Sequence, residues 1–267
     1  MFELVELVEL VEQKSRSRYA SALAVLPTYN ERDNLSALIP AVLQDPRFDV
    51  LVVDDNSPDG TAEIVEGIAL EFPDRVHLLK RASKLGLGTA YLEGFRWAID
   101  RGYDLICEMD SDFSHDPAVL PRLADATSCA DVVLGSRYIP GGKTQNWSRT
   151  RRMISQGGST YARLILGLNY HDLTGGFKCF RRQVLEALDL ESIESTGYAF
   201  QIEMTYRAHL AGFRVIEIPI TFRERRAGRS KMDGSIMAEA LLRVWQMRFS
   251  RTEAKAIVKS HAARLIS

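Results

Sequence analysis

Short apolar strands alternate with amphipathic helical segments through the first half of the chain, and this alternation constrains the fold more than any other feature. The strand-like segments are ALAVL, VLVVD, RVHLL, DLICEMD and DVVLG. Helical patterns lie between them, including NLSALIPAVLQD, TAEIVEGIALEF and GTAYLEGFRWAIDRG. Strands and helices in this order predict βαβ units and a parallel sheet covered by helices on both faces. We therefore predict an α/β fold.

The second half is less regular but still predicts helices packed on a sheet. RRMISQGGSTYARLILGL is typical of an amphipathic helix interrupted at Gly157-Gly158, and DLTGGFKCF of a loop or strand. GYAFQIEMTYRAHLAG predicts a helix, FRVIEIPITF a strand pair or one long strand, and SIMAEALLRVWQMRF a final amphipathic helix. Because no long flexible linker divides the chain, we predict one domain over 21–250. A poorly ordered extension over 1–20 precedes it, and a basic tail over 251–267 follows.

The overall composition excludes several classes of protein. The 267 residues carry a formal net charge of −1, so nothing global indicates a nucleic-acid-binding protein. Three cysteines without close pairing fit a reducing cytosol better than a disulfide framework or a zinc site. Neither a membrane-spanning apolar run nor a signal peptide is recognisable. We expect a cytoplasmic protein or one peripheral to a membrane.

Polar loops follow four of the predicted strands. They read PTYNERDN, DDNSPDGT, DSDFSHDP and SRYIPGGK in chain order. In open parallel sheets, ligands bind beyond the carboxyl ends of the strands. The four loops therefore predict an active site at one edge of the sheet.

Two carboxylates in the third of these loops predict a metal site. Asp110 and Asp112 stand two residues apart, so both side chains can reach one point from an extended chain. Their repulsion is costly unless a hard divalent cation such as Mg²⁺ or Mn²⁺ lies between them, and a solvated acidic loop is the alternative. Glu108 either joins this site or forms a salt bridge. His115 is expected to pack within the loop, and Asp116-Pro117 to start the next helix.

Other patterns narrow the class of ligand. No G-x-G-x-x-G motif follows the first strand and no P-loop is present, which argues against dehydrogenases and P-loop ATPases. We interpret KLGLGTA as a turn that caps a helix from Thr89. From Arg137 to Arg163 there are six Lys or Arg residues and no acid, and RERRAGRSKMDG is a second basic segment. Such clusters predict an anionic ligand, with a solvated cationic face as the alternative.

Taken together, the motifs VLPTYNERDNL, VVDDNSPDGT, KLGLGTAYLEGF, EMDSDFSHDP, GSRYIPGG, LTGGFKCFRR and ERRAGRSKM resemble those of one family. The chain resembles polyprenol-phosphate (dolichol-phosphate) mannose synthases, which are inverting glycosyltransferases of family two, from about Leu23 to Trp245. The resemblance implies a GT-A fold, in which a Rossmann-like, mostly parallel sheet is flanked by helices, with C-terminal amphipathic helices. It also implies metal-dependent transfer of mannose from GDP-mannose to a polyprenyl phosphate, at the cytosolic face of a membrane.

The resemblance further implies roles for individual residues. The donor nucleotide sugar would be bound by Pro27, Tyr29, Glu31, Val53, Asp55, Asp110, Ser111, Asp112, Arg137, Arg225 and Lys231. Asp110 and Asp112 would hold the Mg²⁺ or Mn²⁺, while Arg137 and Arg151 would bind the acceptor phosphate. The residues expected to act in catalysis are Asp112, Arg137, Arg225 and Lys231.

Alternatives to this function remain open at the level of the sequence. One alternative is the same transfer from UDP-glucose or another nucleotide sugar, because no residue that recognises the nucleotide base can be identified. A sugar-phosphate nucleotidyltransferase and a non-catalytic nucleotide-sugar binder are the others. Aromatic and basic residues interleave around Trp147 and Arg151 and again near Trp245, as in helices that lie in a membrane interface. We expect peripheral membrane contact or a membrane-anchored partner protein, with plain core packing as the alternative for the last helix.

Overall fold

The structure is a computed structural model that describes residues 20–224 and 234–249. Arg225 and Lys231 lie outside these ranges. The predicted C-terminal tail and all but the last residue of the predicted N-terminal extension also lie outside the described ranges. The expectations for these two segments, for Arg225 and for Lys231 therefore stay predictions.

A seven-stranded sheet forms the centre, with strand order β3-β2-β1-β4-β7-β5-β8. Its strands are β1 (Ala22–Thr28), β2 (Phe48–Asp54), β3 (Val76–Lys80), β4 (Leu105–Glu108), β5 (Val132–Ser136), β7 (Lys178–Arg181) and β8 (Val215–Pro219). β6 (Lys143–Thr144) and β9 (Thr221–Phe222) form a separate two-stranded ribbon. The FRVIEIPITF segment, expected to form a strand pair or one long strand, contains two strands, β8 and β9, that belong to different sheets.

Helices cover both faces of the sheet, as the alternating pattern predicts. The helices are α1 (Arg32–Val42), α2 (Thr61–Glu71), α3 (Leu87–Asp100), α4 (Leu120–Ala126), α5 (Arg149–Leu166), α6 (Arg182–Ala187), α7 (Gly197–Leu210) and α8 (Gly234–Phe249). Alternate residues of β1 point to opposite faces. Ala22, Ala24 and Leu26 pack towards α1, α2 and α4, whereas Leu23 and Val25 pack towards α3, α6 and α7. Within the described ranges, no helix combines the length and apolar character needed to cross a bilayer.

The sheet is mostly parallel, as the resemblance implies, and one feature differs from the sequence-based expectations. β7 runs antiparallel between β4 and β5, with Cys107 opposite Cys179 and Glu108 opposite Lys178. The difference concerns a helix. α5 continues through Gly157-Gly158, so the predicted interruption there is wrong. An added Cβ at Gly157 would meet nothing within 4 Å, and packing of the rest of the helix outweighs the glycines' low helix propensity.

Candidate active site

A cavity of about 490 Å³ lies at the carboxyl edge of the sheet, where the polar loops were expected to meet. The loops after β1, β2, β4 and β5 all contribute to it, together with the glycines before β7 and the start of α7. The predicted site residues that line the cavity are Pro27, Tyr29, Glu31, Asp55, Asp110, Ser111, Asp112, Arg137 and Arg151. The structure thus brings together nearly all predicted site residues that it describes.

Val53 is the exception. Its side chain is fully buried in β2 and packs in the core cluster that faces α3. It therefore lies behind the cavity wall, and a direct side-chain contact with a nucleotide does not fit this position.

The loop that follows β4 holds Asp110 and Asp112 at the cavity. Phe113 adopts a left-handed conformation (φ 62°), which turns the chain sharply after the two acids. The Ser114 N–H donates to Asp112 Oδ1 at 2.9 Å, and the Asp110 N–H donates to His115 Nδ1 at 3.1 Å. Ser111 Oγ donates to the Pro27 carbonyl at 2.9 Å, which ties this loop to the one after β1. Ser114 thus contacts both carboxylates, since Ser114 Oγ also lies 3.5 Å from Asp110 Oδ2.

His115 packs inside this loop, as predicted. Its ring is buried and stacks on Phe177 with 4.6 Å between ring centroids. Burial lowers the pKa of His115 to about 3, so the ring is neutral. Because Nδ1 accepts the Asp110 N–H, Nε2 carries the ring proton. The predicted start of the next helix is also confirmed: the Asp116 carboxylate accepts the Ala118 N–H, and Pro117 occupies the first helical turn.

Asp55 joins the loop after β2 to the glycine-containing turn before α3. Its carboxylate accepts from Arg81 Nη1 at 2.5 Å and from the Gly86 N–H at 3.0 Å. Gly86 has a φ of 97°, a conformation that favours glycine. The interpretation of KLGLGTA as a helix-capping turn fits this geometry, although the helix begins at Leu87 and not at Thr89. Arg81 is buried and was not anticipated, because no local motif marks it.

Arg137 is held at the cavity by Asp172, a second residue that sequence reasoning missed. The guanidinium donates to both Asp172 oxygens at 2.7 Å, through Nε and Nη2, and the Arg137 backbone N–H donates to Oδ2 at 2.9 Å. Nη2 also donates to Thr174 Oγ1. Burial opposes ionisation of Arg137, but the charge and hydrogen bonds of Asp172 outweigh it and raise the pKa of Arg137. The cation is therefore permanent and fixed in orientation.

Glu108 does not join the acidic residues of the cavity. It is fully buried in β4, where burial raises the pKa of its carboxyl group to about 7 against the opposing effects of Lys178 and Gln201. Burial likewise lowers the pKa of Lys178 to about 8. Within the described part of the chain, no group of three or more His, Cys, Asp or Glu side chains surrounds a single point. Asp110 and Asp112 therefore stand as a pair.

A smaller apolar cavity of about 80 Å³ continues from the main one between α5, α7 and α8. Trp147, Arg151, Thr174 and Tyr198 line both cavities, while Ile154, Tyr161, Ile202, Leu241 and Val244 line only the apolar one. Arg151 lies at the junction, where its guanidinium carbon is 4.2 Å from the centroid of the Trp147 ring. We call the smaller cavity the apolar groove.

Large apolar side chains near this groove face solvent. On α5, Met153 and Leu164 are 74% and 72% exposed; on α8, Leu242 and Phe249 are 68% and 79% exposed. Val244 of α8 is buried against α5 and α7, so this helix has both a packed face and an exposed apolar face. Core packing thus describes one face of the last helix, and membrane contact of its exposed face stays a prediction.

Comparisons with known proteins agree with this architecture. Two relatives are a polyprenol monophosphomannose synthase of Mycolicibacterium smegmatis and an undecaprenyl-phosphate mannosyltransferase of Micrococcus luteus. The first is 48% identical over 89% of this chain and 91% of its own length. The second is 51% identical over 83% of this chain and 91% of its own length.

The crystal structure of glucosyl-3-phosphoglycerate synthase from Mycobacterium tuberculosis, in complex with Mn²⁺, UDP and glucosyl-3-phosphoglycerate, has the same fold. Its TM-score is 0.62 at 17% identity, over 88% of this chain and 81% of that one. The predicted GT-A fold is therefore confirmed. Residues 23–189 match the family described as Glycosyl transferase family 2, and the chain is a glycosyltransferase that belongs to this family.

Proposed function

We propose that the chain transfers mannose from GDP-mannose to a polyprenyl phosphate, with inversion, at the cytosolic face of a membrane. The observation that carries the proposal is the continuity of the two cavities: Asp110, Asp112, Arg137 and Arg151 line the main cavity, and the apolar groove between α5, α7 and α8 shares Arg151 with it. A substrate with a phosphate at one end and an apolar chain at the other matches this arrangement. The names of the two mannosyl-transferring relatives support it.

The chemistry fits the residues present. A lipid phosphate is already anionic at neutral pH and needs no strong general base to act as a nucleophile. The obstacle is repulsion between this phosphate and the donor diphosphate. Arg137 and Arg151 would bind the acceptor phosphate and lower that barrier electrostatically. Arg225 and Lys231, outside the described residues, would contact phosphate groups in the same way, as the resemblance implies.

Asp110 and Asp112 would hold a divalent cation, Mg²⁺ or Mn²⁺, on the donor diphosphate. They are carboxylates on one loop, both contacted by Ser114 and both lining the cavity, and oxygen ligands suit a hard cation. When bound, the cation would neutralise charge that develops on the departing diphosphate. Pro27, Tyr29, Glu31 and Asp55, which follow β1 and β2, also line the cavity and would bind the nucleoside.

A panel of labelled nucleotide sugars, offered with polyprenyl phosphate and Mg²⁺ or Mn²⁺, tests the donor. We expect label from GDP-mannose in the lipid phase. Label only from UDP-glucose would refute the mannose assignment. Asp112→Asn keeps an oxygen for the Ser114 N–H but loses the charge, so it should keep the fold and lose metal-dependent donor binding. Full activity of this variant would remove the metal argument.

The groove is tested separately through the acceptor. Ile154→Glu places a charge in the apolar groove, so it should raise the KM for polyprenyl phosphate without changing the affinity for the donor. Leu70→Glu is the matched control, because Leu70 is 86% exposed on α2 and lines neither cavity. Equal KM values for both variants would exclude the groove as the site of the lipid chain.

A further inference from the structure

Gln201 presents a buried amide group at the wall of the main cavity. It lies on α7, is 2% exposed and lines the cavity close to Asp110. Neither Oε1 nor Nε2 has a hydrogen-bond partner among the residues that the structure describes. Buried polar side chains in folded proteins are almost always hydrogen-bonded, so an unbonded amide beside a ligand cavity requires an explanation.

Gly176 leaves a gap in front of this amide. A Cβ added at Gly176 would lie 3.3 Å from Gln201 Nε2 and 3.7 Å from Asp110 Oδ1. The backbone of Gly176 does not have a positive φ, so the position does not need glycine for its conformation. The lack of a side chain at Gly176 instead leaves a small volume open between the Gln201 amide and the Asp110 carboxylate.

The hydrogen bonds that involve Gln201 use its backbone. Lys178 Nζ donates to the backbone carbonyl of Gln201 at 2.6 Å and to Thr205 Oγ1 at 3.0 Å, and neither bond uses the side-chain amide. The Glu108 carboxyl lies near the amide, which acts against burial and helps to lower the pKa of Glu108. No hydrogen bond of standard geometry joins these two side chains within the described ranges, so the amide can still bond to a ligand.

We propose that the Gln201 amide binds hydroxyl groups of the sugar carried by the donor and so helps to determine which sugar is transferred. This inference rests on the proposed function, since the sugar follows the diphosphate that Asp110 and Asp112 would hold. An amide offers two donors and one acceptor oxygen and is neutral, which suits a pair of sugar hydroxyls better than a phosphate. A site built to hydrogen-bond hydroxyls discriminates against a sugar that leaves its buried polar groups unpaired.

The test compares the affinities of wild-type protein and Gln201→Leu for GDP and GDP-mannose in the presence of Mn²⁺. We expect affinity for GDP to stay within about twofold and affinity for GDP-mannose to fall about tenfold, the loss expected for one or two hydrogen bonds. Gly176→Ala keeps the amide but fills the gap, so it should show the same selective loss. Gln44→Leu is the control, since Gln44 is exposed and its side chain bonds, among the described residues, to the Pro40 carbonyl.

Several results would overturn the inference. Equal weakening of GDP and GDP-mannose binding would show that Gln201 acts on the diphosphate or on the cavity as a whole. Unchanged affinities would show that it contacts no ligand, and an unfolded Gln201→Leu protein would show a structural role. If the wild-type protein binds UDP-glucose and not GDP-mannose, the proposed donor fails, but the same difference measured between UDP and UDP-glucose still tests Gln201.

Discussion

The buried ion pair between Arg137 and Asp172 yields the sharpest energetic prediction. Asp172→Asn preserves the size and one acceptor oxygen of the side chain but removes its charge. Arg137 would then remain 5% exposed with its cation uncompensated. The variant should therefore be much less stable than the wild-type protein, and its arginine should lose its fixed orientation at the cavity.

The magnitude follows from the geometry. Opposite unit charges about 4 Å apart attract by about 4 kcal/mol at an effective dielectric constant of about 20. This agrees with the roughly 3–5 kcal/mol expected when one partner of a buried pair is removed. Arg137→Met should cost a similar amount, because it leaves Asp172 buried and alone. The double variant should cost clearly less than the sum, since it leaves no buried charge unpaired.

The wild-type protein, Asp172→Asn, Arg137→Met and the double variant form a double-mutant cycle, and urea denaturation gives the free energy of unfolding of each protein. The control is Glu66→Gln, which breaks the Lys80–Glu66 pair; that pair has the same 2.7 Å separation but lies at the surface. It should leave the urea midpoint nearly unchanged. Below the melting range, Asp172→Asn should also transfer sugar more slowly, by up to about 100-fold, because the remaining arginine is misplaced.

Additive effects of Arg137→Met and Asp172→Asn would refute the reasoning, because they would show that the two side chains do not interact. A loss below about 1 kcal/mol in Asp172→Asn would refute it as well, since only a solvated arginine tolerates that change cheaply. Normal activity in a destabilised Asp172→Asn protein would separate the two roles: Asp172 would then stabilise the fold without positioning Arg137.

Three further changes test other contacts. Arg81→Leu removes the hydrogen bonds from Arg81 to the Asp55 carboxylate and to the Gly86 carbonyl. The affinity for the nucleotide, measured in a titration, should then fall about tenfold. Unchanged affinity would contradict this role of Arg81. The pKa of Lys178 is about 8 in the folded protein and 10.5 ordinarily. Between pH 8 and 10.5, Lys178 is therefore protonated in the unfolded chain and mostly neutral in the folded protein. Wild-type stability should therefore rise with pH from 8 to 10.5 relative to Lys178→Met, and parallel urea-midpoint curves would exclude the shift. Gly94→Ala places a methyl group 2.5 Å from Val25 Cγ1 and should lower the free energy of unfolding by about 1–3 kcal/mol. Gly157→Ala is the matched control, because its methyl group meets nothing within 4 Å and should not destabilise the protein. Similar urea midpoints for the two variants would contradict close packing at Gly94.

The parts of the fold that could be predicted are those encoded by local periodicity. The strand–helix alternation predicts the sheet and its ligand edge, and the polar loops predict nearly all of the cavity residues that the structure describes. Asp110 and Asp112 were recognisable because their spacing and their position after a buried strand are both local signals.

The missed features depend on contacts between distant parts of the chain. The partners of Asp55 and Arg137 are the buried residues Arg81 and Asp172. Asp172 begins the segment DLTGGFKCF, but no local signal pairs it with Arg137, and only the folded chain identifies both partners. Val53 was assigned to the nucleotide site by resemblance, and only the folded chain shows that its side chain packs in the core. Gly157-Gly158 was taken as a break because glycine has low helix propensity, and tertiary packing outweighs that preference.

The antiparallel strand β7 has a consequence for the order in which the protein folds during synthesis. β4 and β5 do not pair with each other, and each borders β7. Until the ribosome has released β7, the nascent chain can complete only the part of the sheet formed by β3, β2, β1 and β4. At roughly 5–20 residues per second, the interval between β5 and β7 lasts a few seconds. During this time the edge of β4, beside the loop that holds Asp110 and Asp112, stays unpaired and can pair with a strand of another chain.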